Sequence, residues 1–329
     1  MRRYTPLHWS AKVAAMNDVA DQTVFRARAR CHMPGCGGAF VPFVPFVPFV
    51  PAKINGEDCS MEKSIQPHNT RPSAVWSSGG AAYDRISQGI ADSIAHCVLR
   101  LAPQPGERIL DLATGTGWTS RMVAASGATV TGADIAEDLM QAARDRAAKE
   151  GLAIEYRTGD AEGLPFADGA FDAVVSTCGI MFASRQEAAA AELARVVRPG
   201  GRIALTTWLS DSNLFKMFQI MQPFMPPPPS PPPQSPFAWG RVERIRELLG
   251  ANFDLRFEKS VSYYREPDGA AAWTTFSTGY GPARALANSL DADHLAEFRR
   301  NFIAFHDGFP TELGICVPRE YWLTVGMRH

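Results

Sequence analysis

Three carboxylates stand at matching places in the chain, each at the end of a short apolar run: Asp111 in Ile109-Leu110-Asp111-Leu112, Asp134 in Ala133-Asp134-Ile135, and Asp160 in Gly159-Asp160-Ala161-Glu162. After the first comes Ala113-Thr114-Gly115-Thr116-Gly117-Trp118, a Gly-rich stretch suited to a turn where backbone must approach a ligand closely. If the apolar runs are parallel strands, all three acids collect at the carboxyl edge of one sheet, where open α/β folds bind ligands. A carboxylate at the second strand end can accept both hydroxyls of a ribose, and one at the third can accept from an adenine amino group. Any one of the three, taken singly, is more often a helix cap or a turn residue. The set favours an adenosine-bearing ligand.

Charge separates two ligand classes. Gly115-Thr116-Gly117-Trp118-Thr119-Ser120 imperfectly imitates G-x-G-x-x-G, and Asp134 lies near the distance expected of a ribose carboxylate, so a nicotinamide-dinucleotide oxidoreductase is one reading. A pyrophosphate at that turn would meet Asp111, a repulsion of about 4 kcal/mol at roughly 4 Å and an effective dielectric of about 20. The same carboxylate suits a ligand with positive groups, such as the ammonium and sulfonium of S-adenosylmethionine. Alone, Asp111 reads equally well as a helix-capping or loop-bonding carboxylate.

The elements that must position these residues follow from periodicity. Apolar runs suited to buried parallel strands lie at Arg108 to Leu112, Thr129 to Ala133, Ile154 to Arg157, Ala173 to Ser176 and Arg202 to Thr207, with helical patterns between the first three and before the last. Such alternation predicts a doubly wound, mostly parallel sheet. A helix is expected from Tyr83 to Leu101, ending before Pro103 and Pro105. After Trp208 a Pro-dense loop leads to a short helix at Val242 to Leu249, a strand at Leu255 to Tyr264, a helical region from Gly269 to about Phe309, and a last strand at Tyr321 to Met327 that joins the sheet antiparallel. The expected organisation is one catalytic domain over 61–329, with a substrate cap inserted at about 209–240 and 269–316. Residues 1–60 differ: four Phe-Val-Pro triplets from Phe40 to Pro51 place a proline at every third position, which forbids helix continuation and a central strand. This stretch is expected to be a disordered extension, or the translation of an over-long reading frame, with Met61 opening the globular part.

Taken in order, Asp111-Leu112-Ala113-Thr114-Gly115-Thr116-Gly117, Ala133-Asp134-Ile135, Asp160-Ala161-Glu162-Gly163-Leu164-Pro165-Phe166 with Phe171-Asp172, and Arg195-Val196-Val197-Arg198-Pro199-Gly200-Gly201-Arg202 resemble the motifs of class I S-adenosylmethionine-dependent methyltransferases, and within them the ubiquinone/menaquinone C-methyltransferase-like group. The resemblance covers about Glu107 to Trp208. It implies a Rossmann-like, mostly parallel seven-stranded sheet with an antiparallel last strand and a helical cap. It also implies S-adenosyl-L-methionine as cofactor and methyl transfer by in-line displacement to a small-molecule acceptor. On this resemblance Thr116, Gly115 and Gly117, with Ala113, line the methionine end beside Asp111. Asp134 and Ile135 hold the ribose, Asp160 and Ala161 flank the adenine, and Thr177 lies near the sulfonium, while Arg198-Pro199-Gly200-Gly201 turns into the fifth strand. Two departures matter. Ala113 replaces a common glycine, which requires the backbone there to avoid positive φ. Thr177-Cys178-Gly179-Ile180-Met181-Phe182 lacks the Gly-Leu-Arg-Asn continuation typical of quinone enzymes, which speaks against a quinone acceptor. The chain also lacks the Asn/Asp-Pro-Pro-Tyr signature of many nucleic-acid base and protein N-methyltransferases. A catalytically silent cofactor-binding module is a third reading.

Composition narrows the partners. A net charge of -1 with scattered Lys and Arg gives no footprint for nucleic acid or a membrane surface, and 46% hydrophobic residues suit an ordinary globular core. Six cysteines without a framework spacing suggest free thiols and a cytoplasmic location. The Cys31 to Cys36 segment lacks a second ligand pair for zinc, so no metal is expected. If the acceptor must lose a proton, His306 titrates in the useful range, with Tyr280, Tyr263, Tyr264 and Cys178 as further candidates. Phe302, Phe305 and Phe309 beside His306 give the plainer reading of a histidine on an apolar helix stripe. Trp76 and Tyr83 are placed to form a lid over the cofactor. Trp239, Trp273, Phe276 and Tyr280 suggest an aromatic acceptor pocket, or alternatively a homodimer interface.

Overall fold

The apolar runs become parallel strands because helices cover them on both faces, which lets nearly every side chain be apolar. They are β1 (Arg108–Leu112), β2 (Thr129–Asp134), β3 (Glu155–Thr158), β4 (Phe171–Thr177) and β5 (Val197–Trp208). At the centre Ile109, Leu110, Val174, Val175, Ile203 and Ala204 are fully buried. The computed structural model describes residues 65–227 and 233–329, all within one compact unit. The Phe-Val-Pro repeat, the Cys31 to Cys36 segment, the expected start at Met61 and part of the Pro-dense loop lie outside the described residues.

Two long strands, β6 (Phe253–Glu266) and β8 (Gly314–Arg328), extend the sheet to the order β3-β2-β1-β4-β5-β8-β6. β8 runs antiparallel to both neighbours, β5 and β6, as expected of the last strand. A two-residue strand, β7 (Pro310–Thr311), pairs with β8 in addition to the expected seven.

Helices α1 (Thr70–Ser77), α2 (Tyr83–Gln88) and α3 (Ala91–Leu101) precede the sheet, and α4 (Trp118–Ala124), α5 (Glu137–Lys149) and α6 (Gln186–Val196) are spaced between its parallel strands. The single helix expected from Tyr83 to Leu101 is thus two, broken at Gly89 and Ile90, where a Cβ on Gly89 would lie 3.0 Å from the Tyr264 ring. Beyond β5 come α7 (Asn213–Met221) and α8 (Val242–Leu249). The helical region after Gly269 divides into α9 (Gly269–Gly279), α10 (Gly281–Ser289) and α11 (Ala292–Asp307). The divisions follow local chemistry: Pro282 starts α10, and the Asp268 and Asp291 side chains cap α9 and α11, accepting from the N–H of Ala271 and His294. Arg198 to Gly201 belongs to β5 itself rather than to a turn before it, and the β4–β5 register shifts there between Phe171 and Ala173. Gly201 fits because its Cβ would come 2.8 Å from the Asp172 carbonyl oxygen.

Candidate active site

The carboxyl ends of β3, β2, β1, β4 and β5 and the first half of β8 lie along one edge of the sheet, and a single cleft runs across them. It spans about 1260 Å³ of space, open solvent included. Asp134 ends β2 and faces the cleft, its Oδ2 accepting from the N–H of Gly115 at 2.8 Å and its Oδ1 from the N–H of Ala136 at 2.8 Å. Each oxygen keeps a lone pair for a further donor. Burial raises its pKa, and those backbone bonds oppose the shift. Asp160 follows β3 and also faces the cleft. Its Oδ2 accepts from the Gln66 N–H at 3.0 Å and the Asn69 amide at 2.9 Å, and its Oδ1 from the Glu162 N–H at 2.9 Å.

Gly115, Ile135, Ala161, Thr177 and Tyr83 line the same cleft, together with Ala113. The requirement placed on Ala113 does not hold, because its φ is +58°. Cys178, at the end of β4, is likewise at φ +57°. Left-handed backbone costs a non-glycine residue roughly 1–2 kcal/mol, and such strain gathers at functional sites. The two positions are coupled through Gly179, where a Cβ would come 2.4 Å from that of Ala113.

Three expected cofactor residues lie beneath the cleft rather than on it. Asp111 is fully buried, and its Oδ2 accepts from the hydroxyls of Thr114 at 2.6 Å and Ser120 at 2.7 Å, so it ties the turn to α4. Its Oδ1 has no partner, and burial pushes its pKa up to about 6. Thr116 is buried against Asp84 and Ser87 instead of lining the methionine end. Gly117, at φ +77°, shapes the turn, and a Cβ there would meet the Tyr156 hydroxyl. For both, the glycine turn curls inward, so only its first residues present backbone to the cleft.

The cap divides in the same way. Phe276 and Tyr280 line the cleft, but Trp273 packs on Phe298 and Phe302 and Trp239 is enclosed in the core. All four aromatics are buried within the chain, so they form no exposed aromatic helix of the kind on which the dimer alternative stood. His306 is no candidate base: it is fully buried among Tyr264, Phe276, Phe302 and Phe305, with Nδ1 on the Phe302 carbonyl, away from the cleft. Desolvation lowers its pKa to about 4. Burial raises the phenols of Tyr83 and Tyr280, and lifts the Cys178 thiol to about 12. Trp76, Tyr83 and Tyr280 form an aromatic roof, with Trp76 5.5 Å from Tyr280 and Tyr83 stacked 6.5 Å from it.

Two features escape the sequence reading. The segment before and within α1 is fastened at the Asp160 end of the cleft: Gln66 and Asn69 donate to Asp160, Ser184 donates to Asn69, and Ser73 donates to the Ile135 carbonyl. The second is Arg319 on β8, 4% exposed and lining the cleft. Period-two burial of Val317, Arg319, Tyr321 and Leu323 is the signal that could have found it, but a strand placed no earlier than Tyr321 leaves Arg319 outside.

Two buried carboxylates flanking an exposed turn backbone, with aromatic faces above, suit a ligand with a ribose, an amine-bearing base and a cationic group. A methyltransferase-domain family matches residues 110–205. An uncharacterised protein of Mycobacterium tuberculosis is 38% identical over 180 residues, which cover 54% of this chain and 65% of that protein, so the chain spans just under two thirds of that relative's length. Demethylmenaquinone methyltransferase of Thermus thermophilus is 46% identical over 168 residues, covering 46% of this chain and 76% of that enzyme. Among solved structures, the YcgJ protein from Bacillus subtilis shares the fold, with a TM-score of 0.51 at 18% identity over 72% of this chain and 98% of that one.

Proposed function

This chain belongs to the class I S-adenosylmethionine-dependent methyltransferases, of the menaquinone C-methyltransferase-like type, and on that premise we propose that it moves a methyl group from S-adenosylmethionine to a small-molecule acceptor by in-line displacement. The observation that carries the reading is the pair of buried strand-end carboxylates, Asp134 and Asp160, facing one cleft with the Gly115 backbone beside them. Asp134 and Ile135 would hold the ribose, Asp160 and Ala161 the adenine, and Ala113, Gly115 and Thr177 the methionine end. Asp111, Thr116 and Gly117 would act from below by fixing the turn.

When bound, S-adenosylmethionine supplies a methyl group already activated on a sulfonium. The chain's own task is then to bind, orient and exclude water, and orientation alone can supply roughly 7–11 kcal/mol. Trp76, Tyr83 and Tyr280 would close the roof, and an aromatic face near a cation adds about 0.5–2 kcal/mol. With His306 enclosed away from the cleft, positioning of the acceptor is the chemistry that the cleft residues support best. A cytoplasmic location is supported by the free thiols of Cys97, Cys178 and Cys316. Among the described residues no helix is long and apolar enough to cross a membrane.

Thermal melting tests the reading. S-adenosylhomocysteine at a hundred times its Kd adds about 2.7 kcal/mol of stability, so it is expected to raise the melting temperature while NAD and NADP leave it unchanged. Stabilisation by a nicotinamide cofactor but not by S-adenosylhomocysteine overturns the proposal in favour of an oxidoreductase.

A further inference from the structure

Arg319 has no work in the cofactor reading. Its guanidinium lies 4.1 Å over the Tyr264 ring and 5.5 Å over that of Phe276. It makes no hydrogen bond or ion pair with any described residue. Asp92, the acid that acts on it electrostatically, gives its hydrogen bonds to the Ser262 hydroxyl and the Tyr263 N–H rather than to the guanidinium. Burial lowers the Arg319 pKa to about 10, which leaves the group charged at neutral pH. The Asp92 charge and the ring faces favour the cation from a distance, but no carboxylate is hydrogen-bonded to it, and buried charges left so are kept chiefly at functional sites.

Its place along the sheet edge says which ligand it serves. Asp160 and Asp134 mark the adenosine end at β3 and β2, and Ala113 and Thr177 stand at β1 and β4. Arg319 lies on β8, beyond β5, four strands past β2 in the order. Trp208, Leu214, Phe276 and Tyr280 line the same cleft and are apolar apart from the phenol hydroxyl, and the guanidinium lies over the Phe276 ring.

We propose that Arg319 is the anion anchor of the methyl acceptor: the acceptor carries a carboxylate that pairs with the guanidinium, while its hydrocarbon body lies against the aromatic walls. A planar guanidinium matches a carboxylate through two parallel N–H···O bonds, which a neutral amide cannot reproduce. The inference rests on the cofactor placement proposed above.

Binding of acid and amide pairs tests it. Benzoate against benzamide, and phenylacetate against phenylacetamide, are titrated into protein saturated with S-adenosylhomocysteine, for wild type, Arg319→Met and Arg319→Lys. In at least one pair the acid is expected to bind wild type ten times more tightly or better, a difference of about 1.4 kcal/mol. Arg319→Met should bring that ratio to within twofold with S-adenosylhomocysteine affinity unchanged, and Arg319→Lys should keep a reduced preference. Should Arg319→Met not fold, the wild-type ratio and its reduction in Arg319→Lys decide. Equal binding of acid and amide by wild type, or a preference that survives in Arg319→Met, overturns the anchor. Failure of wild type to bind S-adenosylhomocysteine instead sinks the cofactor reading.

Discussion

Asp111 makes the account vulnerable to a stability measurement. Its carboxyl is fully buried, with one oxygen serving two hydroxyls and the other serving none, and its pKa is pushed up to about 6. Against about 3.9 in the unfolded chain, that is roughly two pKa units, or about 3 kcal/mol. The native state holds the proton to higher pH than the unfolded state does. Stability from this site is therefore present in acid and is lost as pH rises from about 4 through about 6. Between pH 4.5 and 7.5 the loss is about 2 kcal/mol. Asp111→Asn keeps one oxygen for Thr114 and Ser120 and removes the charge, so it cannot titrate. Urea unfolding of both proteins at the two pH values isolates the site, because every other titration, including that of His306, is common to both. The variant should gain about 2 kcal/mol relative to wild type on going from pH 4.5 to 7.5. A difference that stays flat, or that shrinks with pH, refutes the picture of a buried carboxylate fixing the turn from below.

The fastened N-terminal segment predicts that Asn69→Ala, by removing the amide that reaches Asp160 and the oxygen that receives Ser184, costs about 1–3 kcal/mol. Hydrogen exchange over residues 66–77 should accelerate at least tenfold, and unchanged protection there contradicts the fastening. Trp273 is a core residue of the cap, so Trp273→Ala should lower stability by about 3–5 kcal/mol while calorimetry finds S-adenosylhomocysteine affinity within twofold of wild type. A large loss of that affinity would return Trp273 to the cleft.

What the sequence discloses, and what it hides, follows from the range of the interactions. The parallel strands were legible because both faces are covered and their apolar runs are nearly continuous, and Asp134 and Asp160 were legible because each ends such a run. Which way the turn residues point was not. Asp111, Thr116 and Gly117 share one motif with Gly115, yet a backbone at positive φ at Ala113, Gly115 and Gly117 sends their neighbours downward. Asn69 meets Asp160 across 91 positions of sequence, a contact no local pattern announces. His306 was the converse case: its residue type suggested proton chemistry, but the phenylalanines around it decided its surroundings. Arg319 was missed because the strand that carries it begins at Gly314 rather than at Tyr321.

The central claim is that the strand-end acids hold S-adenosylmethionine, and Asp134 is its sharpest point. Calorimetric titration of S-adenosylhomocysteine into wild type, Asp134→Asn and Asp134→Ala measures it directly, with circular dichroism showing that the variants keep the fold. Hydrogen bonds to a charged group contribute about 1.5–3 kcal/mol, so Asp134→Ala is predicted to weaken binding at least tenfold and Asp134→Asn to fall between it and wild type. Affinity unchanged in a folded Asp134→Ala would contradict the assignment of the ribose to β2, and with it the placement of the cofactor across this cleft.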